Sequence, residues 1–414
     1  MLNNTDAKKI KMLIAFTTFR VCGGTERFLL NLLELFPVDR YEIDLLLFDD
    51  EQDSAKMFDL IPSHVNVLPF LKQYSKWSPS LMKELESSGH LKSVQIRNFI
   101  NARNIDSEFK VKPIGVRHEE NWELLKELCP EYSGYDIAIA IKNSLPLKIV
   151  AEKVNAKNKF VFLHFDIKAA TESKEHEESL YRYEKKYYEQ MNGIVCIANQ
   201  NADSFRSFFP ELAHKVKVLI NINNMERILR DAEAYYPEEY RGNENNLLTI
   251  ARIHPQKGIE LLLLTAKKLK DLGVNFRWFV LGGNYEDAYL KKCNSVLETL
   301  NLNSHVLFLG ERQNPFPYYK NCTLYVQTSL FEGRPLSIEE AMSLNCPIIT
   351  TNFSSVKEQI IDGVNGIICE FDSEQLASDI IYLLNNPKER QRLAESNAGY
   401  DGTGGAEKYL ELFK

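Results

Sequence analysis

The chain has no apolar run near the ~20 residues that a membrane-spanning helix requires, so nothing in it reads as a span. Its first residues, Met1 to Lys11, are polar and without an apolar core, and no secretory leader is expected. A basic surplus is also missing. The formal charge is −7, and such a chain offers no whole-protein positive field for nucleic acid. Cysteine is present but unpatterned. Cys22, Cys129, Cys196, Cys293, Cys322, Cys346 and Cys369 are odd in number, lack close metal-ligand spacing, and several lie in apolar runs such as Val195-Cys196-Ile197. Buried free thiols in a reducing compartment are the simplest expectation. The full glycine fingerprint of dinucleotide binding is absent, which excludes a nicotinamide cofactor as the natural reading. No solenoid repeat period is evident.

What is there is length and alternation. A chain of 414 residues, 44% apolar and 26% charged, is ordinary for a globular protein and natural for two domains. Short apolar runs alternate with helical stretches. Met12 to Thr17, Tyr41 to Phe48, Asp136 to Ile141, Phe160 to Leu163 and Gly193 to Ile197 read as buried strands, with a helix from Glu26 to Leu35. The pattern then restarts with Leu247 to Ala251, Phe276 to Gly282, Val306 to Leu309, Leu324 to Gln327 and Pro347 to Thr350, and a helix over Ile259 to Leu272. Strands alternating with helices imply parallel sheets covered on both faces. The fold class is therefore α/β, with two Rossmann-like, doubly wound domains facing a cleft. The polar stretch 221–246 is the expected join.

Three constellations carry chemistry. Glu332-Gly333-Arg334-Pro335-Leu336-Ser337-Ile338-Glu339-Glu340 places two carboxylates across a loop-to-helix junction. Pro335 suits a helix start, and the N–H groups of Leu336 and Ser337 would point outward as an anion cradle. Phosphate at the helix start and hydroxyls at Glu332 and Glu340 would suit a sugar nucleotide; a surface helix with solvated Glu339 and Glu340 is the plain alternative. Arg252 and Lys257 follow a strand on one turn and could converge on a diphosphate, Arg as a planar fork and Lys as a mobile point charge. Gly23-Gly24 follows a strand and opens a helix, which allows close backbone approach to a ligand or makes a plain tight turn. The acidic run Asp49-Asp50-Glu51 with Asp53 reads as a solvated loop.

These pieces occur in order with His164-Phe165-Asp166, Val280-Leu281-Gly282-Gly283, Phe308-Leu309-Gly310, Asn314-Pro315 and Glu358-Gln359-Ile360-Ile361. Together they cover roughly positions 12 to 370. The ordered set resembles the retaining glycosyltransferases of family four, of the bacterial cell-surface polysaccharide type, which have the GT-B fold. The resemblance implies an acceptor-side domain at 1–221, a nucleotide-sugar domain at 222–395, and a C-terminal helix within 396–414 that returns to the first domain. It implies a metal-independent hexosyltransferase that needs no cofactor. The donor would be a nucleoside-diphosphate sugar, with a UDP-sugar expected, and the acceptor a glycan or lipid-linked glycan. Arg252 and Lys257 would neutralise the leaving diphosphate, Glu332 would approach the donor sugar, and Glu340 would accept the ribose hydroxyls. Gly23, Gly24, Gly333, Arg334, Leu336 and Ser337 would line the donor, with Glu311 and Arg312 bordering the base. His164 would lie beside the donor sugar. Asp166 could face the acceptor or cap a helix.

From Lys72 to Arg117, nine Lys/Arg stand against four acids, interleaved with Trp77, Leu81, Leu85 and Phe99. This face suits an anionic membrane surface or is a solvated helical insertion. A cytoplasmic enzyme, peripheral at the inner face of the membrane, is the expectation. Two rival readings remain: another GT-B enzyme, such as a sugar-nucleotide epimerase or a phosphorylase, and a non-catalytic partner subunit. The partner subunit would be expected to have lost the cations or the glutamates, and all four are present.

Overall fold

The structure is a computed structural model that describes residues 8–17, 19, 23–47, 58–69, 122–123, 126, 129–172, 178–283 and 287–414. The acidic run and the basic stretch noted above lie outside the described residues. The first sheet contains β1 (Ile10–Phe16), β2 (Tyr41–Leu47), β3 (Val65–Pro69), β4 (Tyr132–Ala140), β5 (Val154–Leu163), β6 (Gly193–Cys196) and β7 (Val216–Val218). The second contains β8 (Asn246–Ile250), β9 (Arg277–Leu281), β10 (Val306–Gly310), β11 (Leu324–Gln327), β12 (Ile348–Thr351) and β13 (Ile367–Cys369). Their orders are β3-β2-β1-β4-β5-β6-β7 and β10-β9-β8-β11-β12-β13, and every pairing is parallel. The expected α/β class with two Rossmann-like domains is thus the observed one.

Strand β1 shows why the sheet is covered twice. Met12, Ile14 and Phe16 enter one buried cluster, Leu13 and Ala15 the other, as the two-residue period of a strand requires. Leu247 and Leu248 divide in the same way between the two clusters of the second sheet. The cluster behind β1 also receives Tyr409 and Phe413 from the chain's last turn-and-helix, Ala406–Leu412. Tyr409 donates to the Ile220 carbonyl at 2.8 Å, and Tyr41 to the Phe413 carbonyl at 3.2 Å.

The six described cysteines beyond Cys22 are all free. Burial pushes the Cys196 and Cys369 thiols up to about 12, so these act as apolar filler. No described helix is long and apolar enough to cross a membrane.

Several contacts join the two halves. The Glu358 carboxylate accepts the backbone N–H groups of Asn199 (2.9 Å) and Gln200 (2.8 Å), at the start of the Asn199–Phe208 helix. The N-cap there is Ala198, which has no side-chain acceptor, so Glu358 supplies the cap from the other half. Gly333 lies against the first half so closely that a Cβ would sit 2.2 Å from the His164 carbonyl oxygen. Any larger residue there would force the halves apart.

Candidate active site

Both sheets reverse direction of growth once, between β1 and β4 and between β8 and β11. In open parallel sheets, ligands bind beyond the carboxyl ends of the strands at such points. Here the two points face each other. Thr17, Gly23 and Gly24 follow β1, and Lys142 follows β4; Arg252 follows β8, and Glu332 follows β11. Between them lies a cavity of about 610 Å³, within the range of small-molecule sites.

The cavity wall gathers Gly23, Gly24, His164, Arg252, Lys257, Glu332, Gly333, Arg334, Leu336, Ser337 and Glu340. The plain alternative for the glutamates, a solvated surface helix, is overturned by burial: Glu332, Glu339 and Glu340 are 6%, 0% and 2% exposed. Pro335 is the N-cap of the Leu336–Ser343 helix, one position before the first turn, with φ −66° and ψ 120°.

The two carboxylates already have cationic partners. Glu332 Oε1 lies 2.5 Å from Lys257 Nζ and also accepts from the Ser329 hydroxyl (2.7 Å) and Gln327 Nε2 (3.1 Å). Glu340 Oε1 lies 2.5 Å from Arg27 Nη1 of the first half, and Oε2 accepts from the Tyr319 hydroxyl at 3.0 Å. Burial and the Glu340 charge hold the Tyr319 phenol well above 10, so it remains a donor. Arg27 also lies over the Phe316 ring, 5.8 Å from its centroid. Arg252 reaches toward Gln256 Oε1 at 3.5 Å, while Gln256 Nε2 donates to the Phe331 carbonyl at 2.9 Å and pins the loop that carries Glu332.

His164 is neutral across the ordinary pH range, its pKa lowered to about 3 by burial and by the nearby Lys142 charge. It is bonded to the backbone of Ile141 and packs edge-on to Phe28, centroids 4.8 Å apart. Its Nε2 is buried without a hydrogen-bond partner among the described residues.

Asp166, Arg312 and Glu311 lie off the cavity wall, while Arg334 lines it; for Asp166 the contacts match the helix-cap reading. Asp166 is buried away from the cavity wall; it accepts from the Ala169 N–H (3.1 Å) and from the Ser354 hydroxyl (3.1 Å), so it caps a helix and joins the halves. Arg312 is turned into its own half, donating to the Leu309 carbonyl at 2.5 Å and to the Tyr318 hydroxyl at 3.3 Å. Glu311 is exposed and off the wall, though its charge reaches Glu26. Arg334 lines the cavity, but its guanidinium is committed to Glu339 at 2.5 Å, and its carbonyl accepts from Asn221 Nδ2 at 2.9 Å. Its part is to fix the loop.

Sequence reasoning gave no role to Glu26 and Arg27, which follow the Gly23-Gly24 pair, or to Lys142, and all three are on the wall. Lys142 was findable, since it stands just past the end of a central strand. Arg27 was not, because its partner Glu340 is 313 positions away.

Two facing Rossmann-like units with one cavity across both reversal points define the GT-B class of architecture. Residues 236–399 match the family model described as glycosyl transferases group 1. An uncharacterized glycosyltransferase of Methanocaldococcus jannaschii is 28% identical over 181 residues, 43% of this chain and 44% of that protein. The poly(ribitol-phosphate) alpha-N-acetylglucosaminyltransferase of Staphylococcus aureus is 27% identical over 237 residues, 54% of this chain and 44% of that one. The matches thus span less than half the length of these relatives. Among solved structures, the Anabaena protein HepE in complex with UDP and glucose superimposes with a TM-score of 0.70 at 17% identity, over 97% of this chain and 99% of that one. The fold and the likeness to family-four glycosyltransferases stand as read from the sequence.

Proposed function

We propose that this protein is a retaining glycosyltransferase that moves a sugar from a UDP-sugar to a glycan or lipid-linked glycan during cell-surface polysaccharide synthesis. The observation that carries the reading is the meeting of Arg252, Lys257, Glu332 and Glu340 on one cavity at both reversal points. One Staphylococcus aureus relative is named as a poly(ribitol-phosphate) glycosyltransferase and another for capsular polysaccharide biosynthesis, and the Anabaena neighbour holds UDP and glucose, which supports setting and donor.

In this reading the nucleoside sits toward Glu340, whose carboxylate accepts the ribose hydroxyls in place of Arg27. The diphosphate lies against Arg252, Lys257 and the N–H groups that open the Leu336–Ser343 helix. Lys257 is oriented before the donor arrives, because Glu332 holds it; donors fixed in advance stabilise developing charge without reorganising. His164 Nε2, with its other ring nitrogen engaged, is an acceptor for a sugar hydroxyl. The anomeric carbon–oxygen bond to the diphosphate breaks, the acceptor oxygen bonds to the same face, and its proton passes to the departing diphosphate oxygen. The two cations offset the leaving charge, so no metal is required. The enzyme acts in the cytoplasm, at the inner face of the membrane.

The test is a screen of UDP-sugars for UDP release, in chelator, followed by NMR of the first-formed glycoside. An α-linked donor should give an α-linked product. Inversion would sink the retaining reading. A new UDP-sugar formed without acceptor would favour an epimerase.

A further inference from the structure

The first-half wall of the cavity carries two charged side chains that the donor site above does not use. Glu26 stands on the first turn of the Gly24–Leu35 helix, is buried, and lines the cavity. Its carboxylate folds back over the helix start. A Cβ on Gly23 would lie 2.4 Å from Glu26 Oε2, so the carboxylate occupies the space beside the helix start that a side chain there would take. The positive end of this helix is therefore already answered by an acid of its own turn. Burial raises the Glu26 carboxyl while Lys142 and Arg252 pull it down, and toward the cavity it offers a hydroxyl a hydrogen-bond acceptor.

Lys142 shares this wall, on the turn after β4. It feels the charges of Glu26 and of Arg252, and burial works against its ammonium form. The turn that carries it is held from behind. Glu184, fully buried on the Glu178–Tyr188 helix, accepts from the Ser144 N–H (2.7 Å), from Asn143 Nδ2 (3.1 Å) and from the Tyr188 hydroxyl (3.0 Å). Ser144 has φ +62°, a left-handed conformation that a residue with a side chain rarely adopts. A strained turn tied to a buried carboxylate points to a wall whose shape matters more than its local preference.

We propose that Glu26 and Lys142 form the acceptor-hydroxyl subsite of the cavity, with Glu184 as the positioning residue that holds Lys142 in it. The proposal rests on the glycosyltransferase reading and names where that reaction's acceptor meets the protein. The pair suits a neutral sugar ring: the carboxylate accepts from one hydroxyl while the ammonium donates to a neighbouring oxygen. The diphosphate keeps to the opposite wall, with Arg252 and Lys257.

The test uses the full chain loaded with UDP, and octyl glucoside, octyl galactoside and octyl N-acetylglucosaminide as acceptor probes, each below its micellar concentration. Binding is read by saturation-transfer NMR titration, and UDP affinity by calorimetry. The wild-type protein should bind at least one probe. Glu26→Gln and Lys142→Met should each weaken it about tenfold, the scale of bonds lost to a charged group, with UDP affinity within about twofold. Lys142→Arg should restore probe binding, which separates a charge requirement from misfolding. Glu184→Gln should weaken the probe but not UDP, with its kinetic loss in the acceptor KM. Unchanged probe affinity in both cavity variants overturns the subsite. So does an equal fall in UDP affinity, which would move the pair to the donor, and so does wild-type protein that binds UDP but no probe. Wild-type protein that fails to bind UDP instead overturns the donor reading beneath it.

Discussion

The two carboxylates at the ends of the cavity are neutralised in opposite ways. Glu332 takes its cation, Lys257, from its own half of the molecule. Glu340 takes Arg27 from the other half. Separating the halves would leave the first pair intact and break the second. A charge-assisted bond within one unit fixes geometry, whereas the same bond across a cleft couples occupancy of the site to closure. The Glu332 pair is therefore the rigid one. In the proposed reading, the Glu340 end would exchange Arg27 for the ribose hydroxyls when the nucleotide arrives.

The largest expected effect falls on the rigid end. Arg252→Ala or Lys257→Ala should lower turnover by at least ~100-fold, the scale for losing one preorganised donor to developing charge. Steady-state UDP release gives the value, and wild-type turnover in either variant would remove the diphosphate assignment. Next come the two carboxylates themselves. Glu340→Gln should weaken UDP by about tenfold or more, since lost bonds to a charged acceptor cost ~1.5–3 kcal/mol. Glu332→Gln should bind UDP nearly as wild type does and lose transfer rate instead. Calorimetry beside kinetics distinguishes them; a reversed pattern would mean the ligand lies the other way round.

Arg27→Ala sharpens the contrast at smaller scale. Glu340 would then be left with Tyr319 alone, and an under-satisfied buried acceptor costs ~1–3 kcal/mol. The ligand-free melting temperature should fall, and the rise on adding UDP should exceed that of the wild type, because ribose hydroxyls replace the lost donor. An equal UDP-induced rise in both proteins would show that Arg27 and the ribose do not compete.

The smallest effect concerns the buried neighbour Glu339. Burial raises its carboxyl from 4.5 to about 7, against the pull of Arg334. A carboxyl whose folded pKa is above its unfolded one binds more protons when folded. Its contribution to stability is full at low pH and is lost as pH climbs toward 7. Glu339→Gln does not titrate, so any melting-temperature advantage of wild type over the variant should shrink between about pH 5 and pH 8. A constant difference would mean that Arg334 keeps Glu339 ionised throughout.

How far the sequence could be read depended on where each segment sits. Interior strands such as β8 and β11 are buried on both faces and show as continuous apolar runs. The strands that escaped notice, Val65–Pro69, Val216–Val218 and Ile367–Cys369, are all at sheet edges, and two have only three residues. An edge strand has one neighbour and little need of a strong pattern, and Pro69 is tolerated only in such a place. The site divides similarly. Residues of the second half cluster on short strand-to-helix turns, where local spacing predicts convergence. Arg312 and Arg334 have the right type at the right place and spend it on Glu239, Tyr318 and Glu339. No local pattern distinguishes a cation facing a ligand from one facing a carboxylate of its own fold.

The cap that Glu358 lends to the Asn199–Phe208 helix turns this boundary into a built-in gauge. Two amide protons on one half are shielded only while a carboxylate of the other half stays within hydrogen-bonding distance. Their exchange with deuterium therefore times the parting of the two halves directly, without any label attached. If the nucleotide holds the cleft shut, exchange at Asn199 and Gln200 should slow on its addition, while amides in the middle of the same helix keep their pace.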